Sequence, residues 1–406
     1  TVVRADFDWH DVGSFASLMA LADKDAAGNA VRGDVISHES SGNLLHSEGP
    51  LIATVGVNNL AVVATEDVTL ITPLDRCEEV RHIVSALDQN QRREANTSPW
   101  LVEKGVLPGS LAPRWREWLF KHSLPFWASH DLDHVHGGFH EVLDLSGHTT
   151  GADKRLRTMA RMTYTYARAV TMGWQGDATS VVQHGFEFFN TAQQAPLGGW
   201  FKTFDAASIA KDTAEDAYDH AFVLLALAQA KLAGISPPNG MLDRVMGVVD
   251  ALALTDKDGR FNGYAEDSAA TLPRRSNPHM HLLEAFMLAY EAFEDPSFLH
   301  RSIQIQSLLE TRFFDSKSLL LAEAFDQELG FAGGAINSFE PGHQFEWAYL
   351  LNRLASLVDL AGVKVPGDAS PSTAINGLFS NALALGINPV TGLAYDIVHR
   401  SGAPVH

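Results

Sequence analysis

The sequence predicts a mostly α chain, an α/α toroid with a small N-terminal β module, and three observations carry that reading. Three histidines, His220, His281 and His343, return about every 60 residues, each near the start of an apolar helical run, as expected when one helical hairpin per repeat returns to the same pole of a ring. Short Gly-aromatic elements, Gly137-Gly-Phe, Gly198-Gly-Trp and Gly259-Arg-Phe-Asn-Gly-Tyr, keep the same step. Up to residue 92 the pattern is different: short apolar runs are divided by Gly, Asn and Asp, which reads as strands and turns.

In chain order, the β module (1–92) contains the runs Leu51-Ile-Ala-Thr-Val, Leu60-Ala-Val-Val-Ala and Val68-Thr-Leu-Ile-Thr, closed by a short helix over Cys77–Leu87. A polar, non-periodic stretch from Asp88 onward opens a linker, placed at 93–112. The helical domain (113–406) has candidate helices beginning near Pro113, Lys154, Asp177, Glu215, Met241, Pro278, Ser297, His343 and Pro371. Asn277-Pro278 gives a helix cap followed by proline at the first helical position, a strong start signal that sets His281 in the first or second turn, at the rim. Pro341-Gly342 does the same for His343. A six-hairpin ring needs more helices than these, so the toroid is expected to lack about three of its last ones.

The bulk composition narrows the function. With 406 residues, 46% of them apolar, two domains are the prior. A net charge of -19 disfavours nucleic acid and anionic membranes as partners and favours a small molecule; a phosphorylated substrate would need a local basic patch. Cys77 is the only cysteine, so no intramolecular disulfide and no thiolate metal cluster can form, which suits a reducing cytoplasm. The first residues lack a signal-peptide pattern, and no stretch approaches the roughly 20 apolar residues of a membrane span.

Residues three apart share a helix face, so His281 with Glu284 and His343 with Glu346 each present an imidazole and a carboxylate to one space, equipment for moving protons near neutral pH. Tyr218, Asp219 and His220 stand at a third helix start, and Arg161 lies one repeat upstream. Taken singly, a helical histidine is more often structural, and His279 is read that way. Trp127, Trp200 and Trp347 could stack on a sugar or fill the core. Two His-x-x-Glu pairs also resemble part of a di-iron carboxylate set, but that set needs two more glutamates. A glycosidase would need two carboxylates opposed across the bond, and Glu284 and Glu346 each have a histidine beside them instead.

Together, Leu124-Pro-Phe-Trp127, Gly137-Gly-Phe-His-Glu141, Lys154-Arg-Leu, Ala160-Arg161, Tyr218-Asp-His-Ala-Phe, Asn277-Pro-His-Met-His281-Leu-Leu-Glu and Pro341-Gly-His-Gln-Phe-Glu-Trp347 resemble the N-acylglucosamine 2-epimerase family, which includes mannose and mannose-6-phosphate isomerases. The resemblance implies an (α/α)6 barrel and isomerisation or epimerisation of a sugar or sugar phosphate without a cofactor. It implies His343, Glu346 and His281 as catalytic residues, with Arg161, Tyr218, Asp219, His220, Asn277, Glu284 and Trp347 binding substrate. It also implies a second catalytic histidine in the last hairpins, after a Trp-Pro-Gln-x-Glu segment that does not occur before His406.

The first module resembles the C-terminal part of mannose-1-phosphate guanylyltransferases, through Asp6-Phe-Asp-Trp-His-Asp11-Val-Gly-Ser-Phe, Gly33-Asp-Val and Leu60-Ala-Val-Val-Ala-Thr-Glu-Asp67. That implies Asp11 as a Mg2+ ligand, but only in a complete guanylyltransferase with its nucleotide-binding half. The fusion points to GDP-mannose supply, hence to mannose 6-phosphate and fructose 6-phosphate, with Arg274 and Arg275 offered to a phosphate. N-acylglucosamine 2-epimerisation and free mannose isomerisation are the alternatives in class. A non-catalytic sugar-binding fragment or scaffold, joined by a second copy or by a nucleotidyltransferase half, is the alternative of another class.

Overall fold

The computed structural model describes residues 22–47, 49–65, 68–89, 108–330, 338–363, 372–388 and 392–405, together with Phe15, Leu18 and Met19. The chain divides into two compact units, Thr1–Leu119 and Phe120–His406. No helix among the described residues is long and apolar enough to cross a membrane.

In the first unit six strands run β1 (Ala30–Arg32), β2 (Val35–His38), β3 (Leu44–Ser47), β4 (Ile52–Val55), β5 (Leu60–Ala64) and β6 (Thr69–Pro73). β1, β3 and β5 stack in parallel, β2 and β4 form a second parallel pair, and β6 closes antiparallel on β5. Leu44 faces Ala61 and Val35 faces Ile52, the same chain offset in both sheets, so the chain coils as a β-helix does. Its turns are locked from inside. Asn43 donates from Nδ2 to Asn29 Oδ1 at 3.0 Å and accepts the Leu60 N–H at 2.9 Å, which satisfies groups that burial would otherwise leave unpaired. A helical turn at Leu74–Glu79 and α1 (Val80–Gln89) follow, where a short helix was expected; α2 (Pro108–Trp118) ends this unit.

The second unit begins with α3 (Leu124–His130) and continues as four helical hairpins among the described residues. Inner helices α4 (Leu156–Thr171), α6 (Ala217–Leu232), α8 (Ser276–Phe293) and α10 (Pro341–Ala361) pack side by side in that order. Outer helices α5 (Ala178–Thr191), α7 (Met241–Leu252), α9 (Pro296–Leu308) and α11 (Ser372–Gly386) each cover their own inner partner. An inner helix is enclosed on most sides, so its sequence need not be amphipathic. Every residue of α6 from Asp219 to Ala230 is buried. Side-chain caps fix the starts: Asp216 accepts the Tyr218 and Asp219 N–H groups, and Asp177 and Asp295 cap α5 and α9.

The repeat is built on a latch. Met159, His220, His279 and Gln344 occupy the same step, the fourth residue, of the four inner helices. Each accepts the backbone N–H of the turn before its helix: Phe139 to Met159 Sδ at 3.2 Å, Trp200 to His220 Nε2 at 3.2 Å, Tyr264 to His279 Nε2 at 2.9 Å and Leu321 to Gln344 Oε1 at 3.2 Å. Glycine precedes the aromatic because the acceptor comes so close. A Cβ on Gly199 would lie 2.3 Å from His220 Nε2, and one on Gly263 2.5 Å from His279 Nε2.

This corrects the reading of three equivalent histidines. The step of about 60 residues is real, but His220 is in register with His279, not with His281. His220 is fully buried, its Nδ1 donates to the Asp216 carbonyl at 2.8 Å, burial lowers its pKa to about 4, and both of its ring nitrogens are taken by the backbone.

Candidate active site

Two steps beyond the latch, the inner helices carry Arg161, Phe222, His281 and Glu346, and these side chains meet. The Arg161 guanidinium lies 4.1 Å over the Phe222 ring and donates to Tyr218 Oη at 2.6 Å. The Tyr218 ring stands edge-on to His281 with centroids 4.8 Å apart, and Phe222 packs on the same imidazole at 4.7 Å. His281 Nδ1 lies 3.4 Å from Glu284 Oε2 and 3.8 Å from Glu346 Oε1. Four successive hairpins thus contribute one connected polar cluster on the inner face.

A second feature lies one turn nearer the rim. Two residues past the latched amide stands a charged side chain that pairs with the residue preceding the inner helix: Glu141 with Arg155, Lys202 with Asp216 at 3.0 Å, and Glu266 with Arg275 at 2.8 Å. Glu141 and Glu266 also accept the backbone N–H of their arginine. In the fourth hairpin the same two places hold Glu323 and Glu340, and His343 lies between the two carboxylates. Its Nδ1 donates to Glu323 Oε2 at 2.9 Å, and its Nε2 is 3.4 Å from Glu340 Oε2. Burial works against the imidazolium, but the hydrogen bond and charge of Glu323, then the charges of Glu340 and Glu346, outweigh it and hold the pKa of His343 above the ordinary value. Burial, opposed by His343 and reinforced by Glu323, raises Glu340.

Between these features a cleft of about 290 Å³ is lined by Arg157, Lys202, Asp216, Tyr218, Arg275 and Asn277. At its wall Asn277 Oδ1 is buried without a hydrogen-bond partner among the described residues. Asp219 is fully buried and receives Arg157 Nη1 at 3.2 Å on one oxygen, leaving Oδ2 unpartnered among the described residues. Burial, reinforced by Asp216, raises its pKa despite Arg157.

The geometry redistributes several expected roles. Glu346, expected to pair with His343, sits with His281 instead; the partners of His343 are Glu323 and Glu340, which were not singled out. A helical side chain leans toward its N-terminus, so His343 reaches back to Glu340 rather than forward to Glu346. Trp347 is fully buried in the core instead of lining the cleft, and Trp200 is likewise sealed. Arg274, offered to a phosphate, is buried and donates to the carbonyls of Asn262, Tyr264 and Gln327. Asp11 lies outside the described residues. Two groups among the described residues have their donor atoms close enough to hold a metal ion: His281 with Glu284 and Glu346, and His343 with Glu323 and Glu340.

Residues 137–406 match the model of the N-acylglucosamine 2-epimerase family, and residues 33–87 match that of the MannoseP isomerase/GMP-like beta-helix domain. A mannose-6-phosphate isomerase of Rhizobium meliloti is 35% identical over 245 residues, 59% of this chain and 62% of that protein. A mannose-1-phosphate guanylyltransferase of Escherichia coli is 37% identical over 93 residues, 23% of this chain and 20% of that protein. The chain therefore spans less than two thirds of the length of either relative. The crystal structure of a D-mannose isomerase shares the fold with a TM-score of 0.61 at 20% identity, covering 72% of this chain and 76% of that one. The cellobiose 2-epimerase of Spirochaeta thermophila gives 0.52 at 17% identity, covering 73% and 90%. On the family model and the ring of hairpins it covers, this chain belongs to the N-acylglucosamine 2-epimerase family.

Proposed function

We propose that the helical domain interconverts mannose 6-phosphate and fructose 6-phosphate, or the free sugars, through a cis-enediol, and that His343 moves the carbon-bound proton. The observation that carries this reading is the replacement of a rim ion pair by Glu323, His343 and Glu340, because two like charges there make sense only around an imidazole that gains and loses a proton. Neutral His343 takes the C2 proton, Glu323 stabilises the imidazolium that forms, and the imidazolium, its proton exchangeable with solvent, protonates C1. His281, held by Glu284, carries the hydroxyl proton from O2 to O1, so atoms and charge balance. Arg161, joined to Tyr218, faces the negative charge that develops on the enediolate oxygen, where a fixed donor contributes most.

No metal is needed for this chemistry, because an imidazole with a carboxylate at each nitrogen can itself take up and release the proton. The likeness to a mannose-6-phosphate isomerase and to a mannose-1-phosphate guanylyltransferase supports a place in GDP-mannose supply. Epimerisation at C2 of an N-acylglucosamine is the second reading, favoured by the second imidazole, His281, in the same cluster.

The test is incubation with mannose 6-phosphate, mannose and N-acetylglucosamine in deuterium oxide. Deuterium at C1 of a ketose is expected. Deuterium at C2 of an inverted aldose with no ketose formed would replace isomerisation by epimerisation, and binding without exchange would reject both.

A further inference from the structure

We infer that the cleft between α4, α6 and α8 is a phosphomonoester subsite, in which Arg157, Lys202 and Arg275 hold the phosphate of a sugar monophosphate whose reacting end lies at His281 and His343. The inference rests on the isomerase reading and names its substrate class.

The chain carries 49 acidic and 30 basic residues, so its overall field repels a phosphate dianion. Against that background three cations from three hairpins line one small cleft. Each has a carboxylate partner: Arg157 with Asp219, Lys202 with Asp216 and Arg275 with Glu266. Those partners are buried, at 0%, 4% and 3% exposure, whereas the cationic side chains are 25%, 27% and 52% exposed. The carboxylates are thus the buried members of these pairs and orient the cations, which keep further N–H donors on side chains that are partly exposed along the cleft.

The remaining wall matches a sugar. Asn277 Oδ1 is an unpartnered buried acceptor among the described residues, suited to a hydroxyl donor. Asn277 and His281 are one turn apart on α8, a rise of about 6 Å, comparable with the reach from the reacting carbons of a hexose to its far-end oxygen. Tyr218 lines the cleft and also touches His281, so one side chain borders both ends of the bound molecule.

The experiment compares kcat/KM for mannose 6-phosphate and mannose in the wild type and in Lys202→Gln/Arg275→Gln, and measures inorganic phosphate binding to both by calorimetry. Arg157 is left intact, because it is the side chain that partners the buried Asp219, whereas Asp216 still accepts the Tyr218 and Asp219 N–H groups and Glu266 the Arg275 N–H when their cations are removed. The wild type is expected to prefer the phosphorylated sugar at least roughly tenfold, and the double variant to bring that ratio to within about threefold of one, chiefly through KM. Inorganic phosphate is expected to bind the wild type, more weakly than mannose 6-phosphate, and to lose affinity in the variant. Equal loss on both sugars means a structural role only and overturns the subsite, as does an unchanged ratio. If neither sugar is turned over but phosphate binds and the variant weakens it, the subsite stands and the isomerase reading falls. If mannose is isomerised and phosphate does not bind, the reverse holds; with neither turnover nor binding, both fall.

Discussion

Nδ1 of His343 and Oε2 of Glu323 lie 2.9 Å apart, joining the first turn of one inner helix to the strand end before it. In the first and third hairpins the carboxylate at the place of Glu323 faces an arginine instead. Replacing His343 by Ala is expected to lower the rate of deuterium exchange by about 10²–10⁴-fold. Glu323→Gln is expected to lower it less and to shift the rising limb of the pH profile to lower pH, since the carboxylate is what raises the imidazole. The same pair stabilises the fold only while His343 is protonated. That contribution is fully present below the unfolded value of about 6.5 and is lost as pH rises through the higher folded value. A pH profile that is identical in both proteins would remove Glu323 from the mechanism.

The latch histidines run the opposite way. Burial lowers His220 to about 4 and His279 to about 3, so both are neutral when folded. As pH falls below about 6.5 the unfolded chain binds protons that the native state refuses, costing about 1.4 kcal/mol per pH unit for each histidine down to its folded value. Thermal unfolding followed from pH 7 to pH 5 is expected to show a falling Tm, and His220→Gln, which retains an acceptor at the same step as Gln344, to lessen the fall. An unchanged pH dependence in that variant would contradict the latch role.

Tyr218 links Arg161 to His281. Tyr218→Phe keeps the ring against the imidazole but removes the hydroxyl that accepts from the guanidinium. A loss of about tenfold in kcat, with Tm little changed, is the expected result. A purely KM effect would make Tyr218 a binding surface without influence on the enediolate.

Chelation separates proton transfer from metal catalysis. Activity after dialysis against EDTA is expected to equal that of the untreated protein, with elemental analysis showing no stoichiometric metal. Loss restored by one divalent cation would instead assign that ion to His281, Glu284 and Glu346, or to His343, Glu323 and Glu340.

Much of this was legible in the residues. Prolines located the helix starts: Pro278 lies in the first turn of α8, where Arg275 and not the expected Asn277 holds the cap position, and Pro341 begins α10. The alternation of Gly, Asn and apolar runs marked the first unit as β, although its Asn29–Asn43 bond joins successive coils and cannot be read locally. The register of the histidines was not legible from spacing alone, since a difference of two residues separates a sealed acceptor, His279, from a cleft imidazole, His281. Glu323 and Glu340 escaped because one precedes the helix start and the other lies in a different element. A signal did exist. Leu321-Ala-Glu323 repeats Phe139-His-Glu141 and Tyr264-Ala-Glu266, and only at Glu323 does the partner position, Glu340, break the charge pairing.

The fourth-residue latch also explains how such a ring tolerates change. Sulfur, imidazole and carboxamide all serve at that step because the turn asks only for a lone pair, so folding instructions reside in one column of the repeat. Neighbouring columns are then at liberty to vary, and the same hairpin plan can host arginine, phenylalanine, histidine or glutamate at a single inward-facing site without redrafting its scaffold.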